Sequence, residues 1–139
     1  KGGNYLLNIG PKADGSVPEE SVNVMRTIGT WMARNGDSIY GTTASPFANL
    51  TWGKCTAKIR PDGTSRLYLH IFDWPADGKV ILRGLANPSV TTTLLAQGQK
   101  LENSSAAGVL TITVPAADPD PIDTVIVVEF AGVPRIRKQ

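Results

Sequence analysis

Cysteine is nearly missing from this chain of 139 residues: Cys55 stands alone. No disulfide can form within the chain, and its thiol content says nothing about a redox compartment. Histidine is as scarce, with His70 the single instance. A thiol nucleophile wants an imidazole partner, so Cys55 with His70 is the one conceivable pair of that kind. Both fall on strand-like segments, where packing is the ordinary role. Neither belongs to a cluster of metal donors, and no metal or other cofactor is expected. Neither sign of charge dominates, with fourteen Lys and Arg against twelve Asp and Glu. The basic residues are scattered, apart from Arg135-Ile136-Arg137-Lys138, and form no stripe that would track phosphates, which argues against nucleic acid as a partner. No apolar run approaches the ~18 residues of a membrane-spanning helix. A hydrophobic content of 41% with 19% charged residues is that of a globular chain, large enough for one domain or for a small domain with part of another.

What is present changes character near residue 42. Asn4 to Ile9 reads as a short uncharged strand with apolar residues on both faces, the pattern of a strand covered on two sides in a parallel α/β sheet. Asn4 and Asn8 share one face with Leu6, so that face is expected to look into something polar. A strand of this kind needs neighbours that nothing before Lys1 supplies, which leads us to expect a larger polypeptide. Asp14-Gly15 makes a turn. Pro18-Glu19-Glu20 opens a helix, with Ser16 and Glu19 at capping-box spacing. Val22, Met25, Ile28, Gly29 and Met32 recur at helical spacing, widened by Val24 and Trp31, and Asn35-Gly36 is expected to end the helix with a left-handed glycine.

Beyond Gly41 the period becomes two. Cys55–Ile59 alternates, Pro61-Asp62-Gly63-Thr64 turns the chain, and Leu67–Trp74 returns. Lys79–Leu85, Thr91–Ala96 and Val109–Val114 follow, and the nearly continuous apolar run Thr124–Phe130 reads as a central strand. Short strands punctuated by Gly, Pro and Asp predict an antiparallel β-sandwich of about seven or eight strands. The fold class is therefore mainly β: residues 1–42 as a last strand and helix, and residues 43–139 as the sandwich domain.

Three stretches together resemble the α-L-fucosidases: Gly2-Gly3-Asn4-Tyr5-Leu6-Leu7-Asn8-Ile9-Gly10-Pro11 with the loop to Glu19, Trp31-Met32-Ala33-Arg34-Asn35-Gly36-Asp37-Ser38-Ile39-Tyr40-Gly41, and Leu67-Tyr68-Leu69-His70-Ile71-Phe72-Asp73-Trp74-Pro75. The resemblance covers roughly the first eighty-five residues. It implies that residues 1–42 are the final unit of a (β/α)8-like catalytic barrel and that a C-terminal sandwich follows. It also implies a parent enzyme that releases α-linked L-fucose from glycans with retention, using two carboxyl groups ~5–5.5 Å apart. The family's nucleophile and acid/base lie upstream of Lys1, so no catalytic residue is expected in this chain. Its partners would be the remainder of the barrel and a fucosylated glycan. The residues themselves leave the compartment unknown; the resemblance implies a secreted, periplasmic or lysosomal protein.

Several residues invite a functional reading. Asn8 lies at the carboxyl end of the presumed barrel strand, where such barrels keep their active sites. It is the one substrate-binding candidate, against the alternative that it pins the adjoining turn. Asp73 beside Trp74 resembles a sugar-site pairing, but one carboxylate cannot run glycoside hydrolysis. Asp118, Asp120 and Asp123 alternate with prolines and lack the glycine and distal glutamate of a calcium loop, so they read as a polar turn. Tyr68, His70, Phe72 and Trp74 share one strand face, which either docks onto the helix carrying Trp31 and Met32 or binds a glycan. Asn49-Leu50-Thr51 and Asn103-Ser104-Ser105 fit the glycosylation sequon. Two other readings stay open: a stand-alone carbohydrate-binding module, which needs the aromatic stripe or Trp52 exposed, and a structural interaction domain. An orphaned strand edge could also pair with a second copy.

Overall fold

A computed structural model describes residues 5–89 and 91–136. Within it, one helix precedes two antiparallel sheets. Helix α1 spans Glu19–Asn35 and runs directly into a 3-10 turn, Gly36–Ser38. Strands follow as β1 (Thr43–Ala44), β2 (Gly53–Ile59), β3 (Thr64–Ile71), β4 (Lys79–Arg83), β5 (Thr91–Leu94), β6 (Asn103–Ala106), β7 (Val109–Thr113) and β8 (Thr124–Ala131). The larger sheet has the order β1-β2-β3-β8-β5 and the smaller β4-β7-β6, with every pairing antiparallel. The expected sandwich is present.

Alternation explains how the sheets face each other. Leu67, Leu69 and Ile71 of β3 and Ile126, Val128 and Phe130 of β8 meet Val80 and Leu82 of β4 and Leu110 and Ile112 of β7 in one core. The opposite parity of the same two central strands, Tyr68, Val125 and Val127, is also buried, in a second cluster under Trp31 of α1. That double cover is why β8 reads as an almost unbroken apolar run. β6 is exposed at every position, as befits an edge strand. It is joined to β7 by a two-residue turn in which Ala107 (φ 49°) and Gly108 (φ 80°) are both left-handed, the geometry that matches strand twist. Alanine is an unusual occupant there, and β6 with its short polar sequence escapes a reading by hydrophobic period. β1, two residues long, escapes it too.

Four local expectations are corrected. Tyr5–Ile9 form no strand and lie exposed, Tyr5 at 86% and Leu6 at 84%. A strand is defined by its ladder, and no described segment pairs with this one. Asn4 lies outside the described residues. The Ser16–Glu19 capping box does not form, because Ser16 gives its N–H and hydroxyl to Asp14 Oδ1 (2.9 and 2.7 Å). Gly36 is right-handed (φ −56°) and continues into the 3-10 turn; a Cβ there would meet the exposed Tyr40 ring at 3.2 Å, close enough that the ring would have to shift slightly. Finally, β3 stops at Ile71, so Trp74 leaves the aromatic stripe. It packs against the inter-sheet core and donates from Nε1 to the Pro115 carbonyl (3.0 Å).

At 100° per residue, α1 divides into two arcs. Val22, Val24, Met25, Ile28, Trp31 and Met32 share one side; Glu19, Glu20, Asn23, Arg26, Thr27, Thr30 and Arg34 share the other. Only the C-terminal end of the apolar arc meets the sandwich. Val24 (56% exposed), Met25 and Ile28 remain uncovered.

Candidate functional site

The seam between α1 and the larger sheet gathers most of the polar side chains that have tertiary partners. Helix and 3-10 turn deliver Asp37 to the face of β2 and β3 where Lys58, Arg66 and Tyr68 project. Lys58 Nζ donates to Asp37 Oδ1 (2.6 Å), while Arg66 Nη1 (3.1 Å) and the Tyr68 hydroxyl (2.5 Å) donate to Oδ2. Burial alone would push Asp37 up; the hydrogen bonds from Lys58 and Tyr68 outweigh it and hold the carboxyl at about 2. Burial, with the Asp37 carboxylate beside it, pushes Tyr68 up to about 12, so the phenol stays a donor. Arg66 also donates through Nε to Glu129 Oε1 (2.7 Å), and Thr91 donates to Glu129 Oε2 (2.8 Å). The Thr91 and Arg66 hydrogen bonds hold Glu129 below the usual carboxylate range. Ser38 and Thr56 complete the joint: Ser38 donates to the Asn35 carbonyl (2.7 Å), and Thr56 Oγ1 donates to the Ser38 carbonyl (2.6 Å).

One turn earlier, Trp31 Nε1 donates to the Asp123 carbonyl (2.9 Å). The Asp123 carboxylate in turn faces His70, with Nδ1 to Oδ2 at 2.8 Å, so the proton belongs on Nδ1. The Trp31 and His70 rings lie 6.3 Å apart and tilted. His70 Nε2 and Asp123 Oδ1 are buried without a partner among the described residues. Tyr68 and His70 are thus covered by the helix, the docking alternative for the stripe, while Phe72 stays 51% exposed at its end.

The other candidates separate. His70 pairs across the ladder with Lys54, and Cys55 with Leu69, so Cys55 and His70 occupy opposite faces of one sheet and cannot cooperate. Burial raises the Cys55 thiol to about 12, despite a hydrogen bond from Ser45, which leaves it inert. Asp73 is exposed, just past the strand end. Asp118 Oδ1 accepts from the Asp120 N–H (3.1 Å) and the Thr124 hydroxyl (2.7 Å), and Asp120 Oδ1 from the Ile122 N–H (3.1 Å): a self-braced polar turn. Trp52 is half-buried, packs on the core and donates to the Ile81 carbonyl (3.0 Å), the arrangement of a packing residue. Asn8, Asn49 and Asn103 are exposed, and Asn103 Nδ2 donates to Thr92 Oγ1 (3.0 Å). Asp37 and Asp123 carried no signal beyond a lone carboxylate beside a helix end and before a strand. Their partners, from 21 to 53 residues away in sequence, are visible only in the fold.

The family described as Alpha-L-fucosidase matches residues 1–37. An α-L-fucosidase of Dictyostelium discoideum is 32% identical over 125 residues, which is 85% of this chain and 27% of that protein. Among solved structures, α-L-fucosidase isoenzyme 1 from Paenibacillus thiaminolyticus superposes with a TM-score of 0.76 at 35% identity, over 88% of this chain and 30% of the other. An α-L-fucosidase from Bacteroides thetaiotaomicron, solved as a trapped covalent intermediate with 2-fluoro-fucosyl fluoride, gives 0.76 at 26% identity, over 89% and 28%. The chain therefore spans less than a third of the length of each of these relatives. By sequence and by fold, it belongs to the α-L-fucosidase family and corresponds to the C-terminal portion of its members.

Proposed function

We propose that this chain is the C-terminal part of an enzyme that hydrolyses α-L-fucosides of glycans with retention, and that its own part in the reaction is structural. Residues 1–42 are then the last unit of the barrel and residues 43–139 the sandwich domain. Two facts support this division: the family match ends at residue 37, and the first sandwich strand begins at Thr43. The observation that carries the reading is the pairing of likeness along nearly the whole chain with an unfinished apolar surface. Leu6, Leu7 and Ile9 and the uncovered arc of α1, with Val24, Met25 and Ile28, are exposed, while α1 is fastened to the sandwich only at its far end. The remainder of the barrel is the partner that would cover these residues. Fastening through Asp37 and Trp31 would then brace the barrel's last helix from outside. Retention is supported by the covalent intermediate trapped in the Bacteroides thetaiotaomicron relative, since retaining glycosidases form one and inverting enzymes do not. Asn8 is the single position we assign to the substrate side.

The test compares two samples. The full-length protein carrying this segment is expected to hydrolyse an aryl α-L-fucoside, and proton NMR of the first-formed sugar should show the α-anomer. The 139-residue chain alone is expected to give no turnover. Hydrolysis by the short chain would overturn the structural role, and a first-formed β-anomer would overturn retention. Failure of the full-length protein on every α-L-fucoside would overturn the activity itself.

A further inference from the structure

Of the Asn-x-Ser/Thr triplets in the chain, Asn87-Pro88-Ser89 is spoiled by its proline. Asn49-Leu50-Thr51 and Asn103-Ser104-Ser105 remain, and the fold treats them differently. Residues 45–52 connect β1 to β2 outside any strand. Phe47, Leu50 and Trp52 of this loop pack against the inter-sheet core, and the Ser45 hydroxyl braces its start by accepting from the Phe47 N–H (3.0 Å). Leu50 is thus the inward anchor of its triplet. Asn49 and Thr51, on either side of it, are exposed, and neither side chain has a hydrogen-bond partner among the described residues. The amide and the hydroxyl two residues on, the groups that define the acceptor, both face solvent. Asn103 is engaged elsewhere. Its backbone lies in the β6–β7 ladder, opposite Ile112. Its Nδ2 donates to Thr92 Oγ1 (3.0 Å) and its Oδ1 accepts from the Ser89 hydroxyl (3.2 Å). Thr92, itself only 2% exposed, donates in turn to the Leu101 carbonyl (2.8 Å). This side chain ties the edge of one sheet to the other, and a sugar on Nδ2 would have to be seated against buried Thr92.

We propose that Asn49 is a site of N-linked glycosylation and that Asn103 is not. In the transfer, Asn49 Nδ2 bonds to the anomeric carbon of an oligosaccharide as that carbon's bond to a polyprenyl diphosphate breaks. The diphosphate leaves with the bonding electrons, and one amide proton passes to a base of the transferase. The position also gives the glycan a task. β4 is an edge of the smaller sheet. The Val114 N–H donates to the Gly78 carbonyl and the Gly84 N–H to the Gly108 carbonyl (2.9 and 2.8 Å). By antiparallel alternation, Lys79, Ile81 and Arg83 therefore turn their own N–H and C=O groups toward the free edge. The Trp52 indole already takes the Ile81 carbonyl there. Asn49 is three residues from Trp52, within about 10 Å along the chain. A bulky, hydrated glycan rooted at Asn49 stands beside that edge and keeps a second chain from pairing with it.

The full-length protein carrying this segment, secreted from a eukaryotic host, is the sample. Trypsin separates the two triplets, leaving Asn49 in the peptide 35–54 and Asn103 in the peptide 101–135. Releasing the glycan with peptide N-glycanase in heavy-oxygen water converts an occupied asparagine to labelled aspartate, which mass spectrometry reads. Label is expected on the Asn49 peptide and not on the Asn103 peptide. Thr51→Ala, at an exposed position, should abolish it, and Thr51→Ser, which restores a hydroxyl, should retain it. An unlabelled Asn49 peptide overturns the site, as does label that Thr51→Ala leaves in place. Label on the Asn103 peptide at comparable occupancy overturns the distinction between the two asparagines. Light scattering of Asn49→Gln beside the parent protein tests the edge. More concentration-dependent association is expected in the variant, and equal association overturns the shielding role. Occupancy is read by mass whatever the enzyme hydrolyses, so this inference and the activity proposed above stand or fall separately.

Discussion

Gly53→Ala is expected to destabilise the fold by about 3 kcal/mol or more, well above the usual cost of a surface substitution. A Cβ at Gly53 would overlap the His70 carbonyl oxygen and stand 3.2 Å from the Phe72 nitrogen. The obstacle is backbone on both counts, so no side chain can rotate away. Relief requires β2 to separate from β3 at its first pair, Gly53↔Ile71. At that same end the Trp52 carbonyl accepts from the Phe72 and Asp73 N–H groups (2.9 and 3.1 Å), and Trp52 and Cys55 belong to the inter-sheet core. The strain would therefore reach the core and, through His70, the helix seam. Urea denaturation followed by far-UV circular dichroism measures the loss. Alkylation of Cys55, buried and inert in the native fold, reports whether the end of the sheet has opened. Gly29→Ala is the matched control. That glycine lies inside α1, where an added methyl would meet nothing within 4 Å, and alanine there should stabilise by about 0.5–1 kcal/mol. Equal, small effects at the two positions would disprove the close-approach account of Gly53.

Removing the Asp37 carboxylate has the next largest expected effect. Asp37→Ala leaves the Tyr68 hydroxyl, on a residue with no exposed surface, without its acceptor, which costs about 1–3 kcal/mol. The Lys58 and Arg66 ion pairs add less, about 0–1 kcal/mol together, because such pairs are weakened by solvent. Their side chains are 27% exposed against 41% for Asp37. A total near ~2–3 kcal/mol is expected by urea denaturation. Tyr68→Phe removes the orphaned hydroxyl, so the double variant should be more stable than the sum of single losses predicts, with a coupling of about 1 kcal/mol or more. Strict additivity would show that the two groups do not interact.

The same site sets a dependence on pH. Asp37 titrates lower in the folded chain, at about 2, than its ordinary 3.8. The unfolded chain therefore binds the proton first as pH falls. The Asp37 contribution is fully present above pH 3.8 and disappears as pH drops through about 2. In Asp37→Ala the stability lost between about pH 4 and pH 2 should be smaller than in the parent chain. An unchanged acid limb would remove Asp37 from the account.

Much of the architecture follows from period alone. Leu110, Ile112 and Val114 against Thr111 and Thr113 can only be a half-buried strand, because successive side chains leave opposite faces. The run from Val125 to Val128 had to lie between two covers, since no single core face uses both parities. Pro18 with two glutamates opens the helix for reasons of backbone geometry and dipole that need no tertiary partner.

Other features depend on what comes near. Tyr5 to Ile9 has every local mark of a strand, but a ladder needs a second chain segment, and no described residue offers one. The stripe Tyr68, His70, Phe72, Trp74 is broken because β3 ends at Ile71 and the chain turns Trp74 into the inter-sheet core. Gly36 has the sequence position of a left-handed cap but takes right-handed angles, because the chain runs on into a 3-10 turn instead of reversing. Asp37 and Asp123 become the two fasteners of the seam only when folding brings Lys58, Arg66, Tyr68 and His70 to them. Hydrophobic order is a local code, repeated every two or about every 3.6 residues, and it survives in one dimension. A hydrogen bond joins two particular atoms over a few ångströms, and which atoms those are is decided only when the sheets and the helix close on one another.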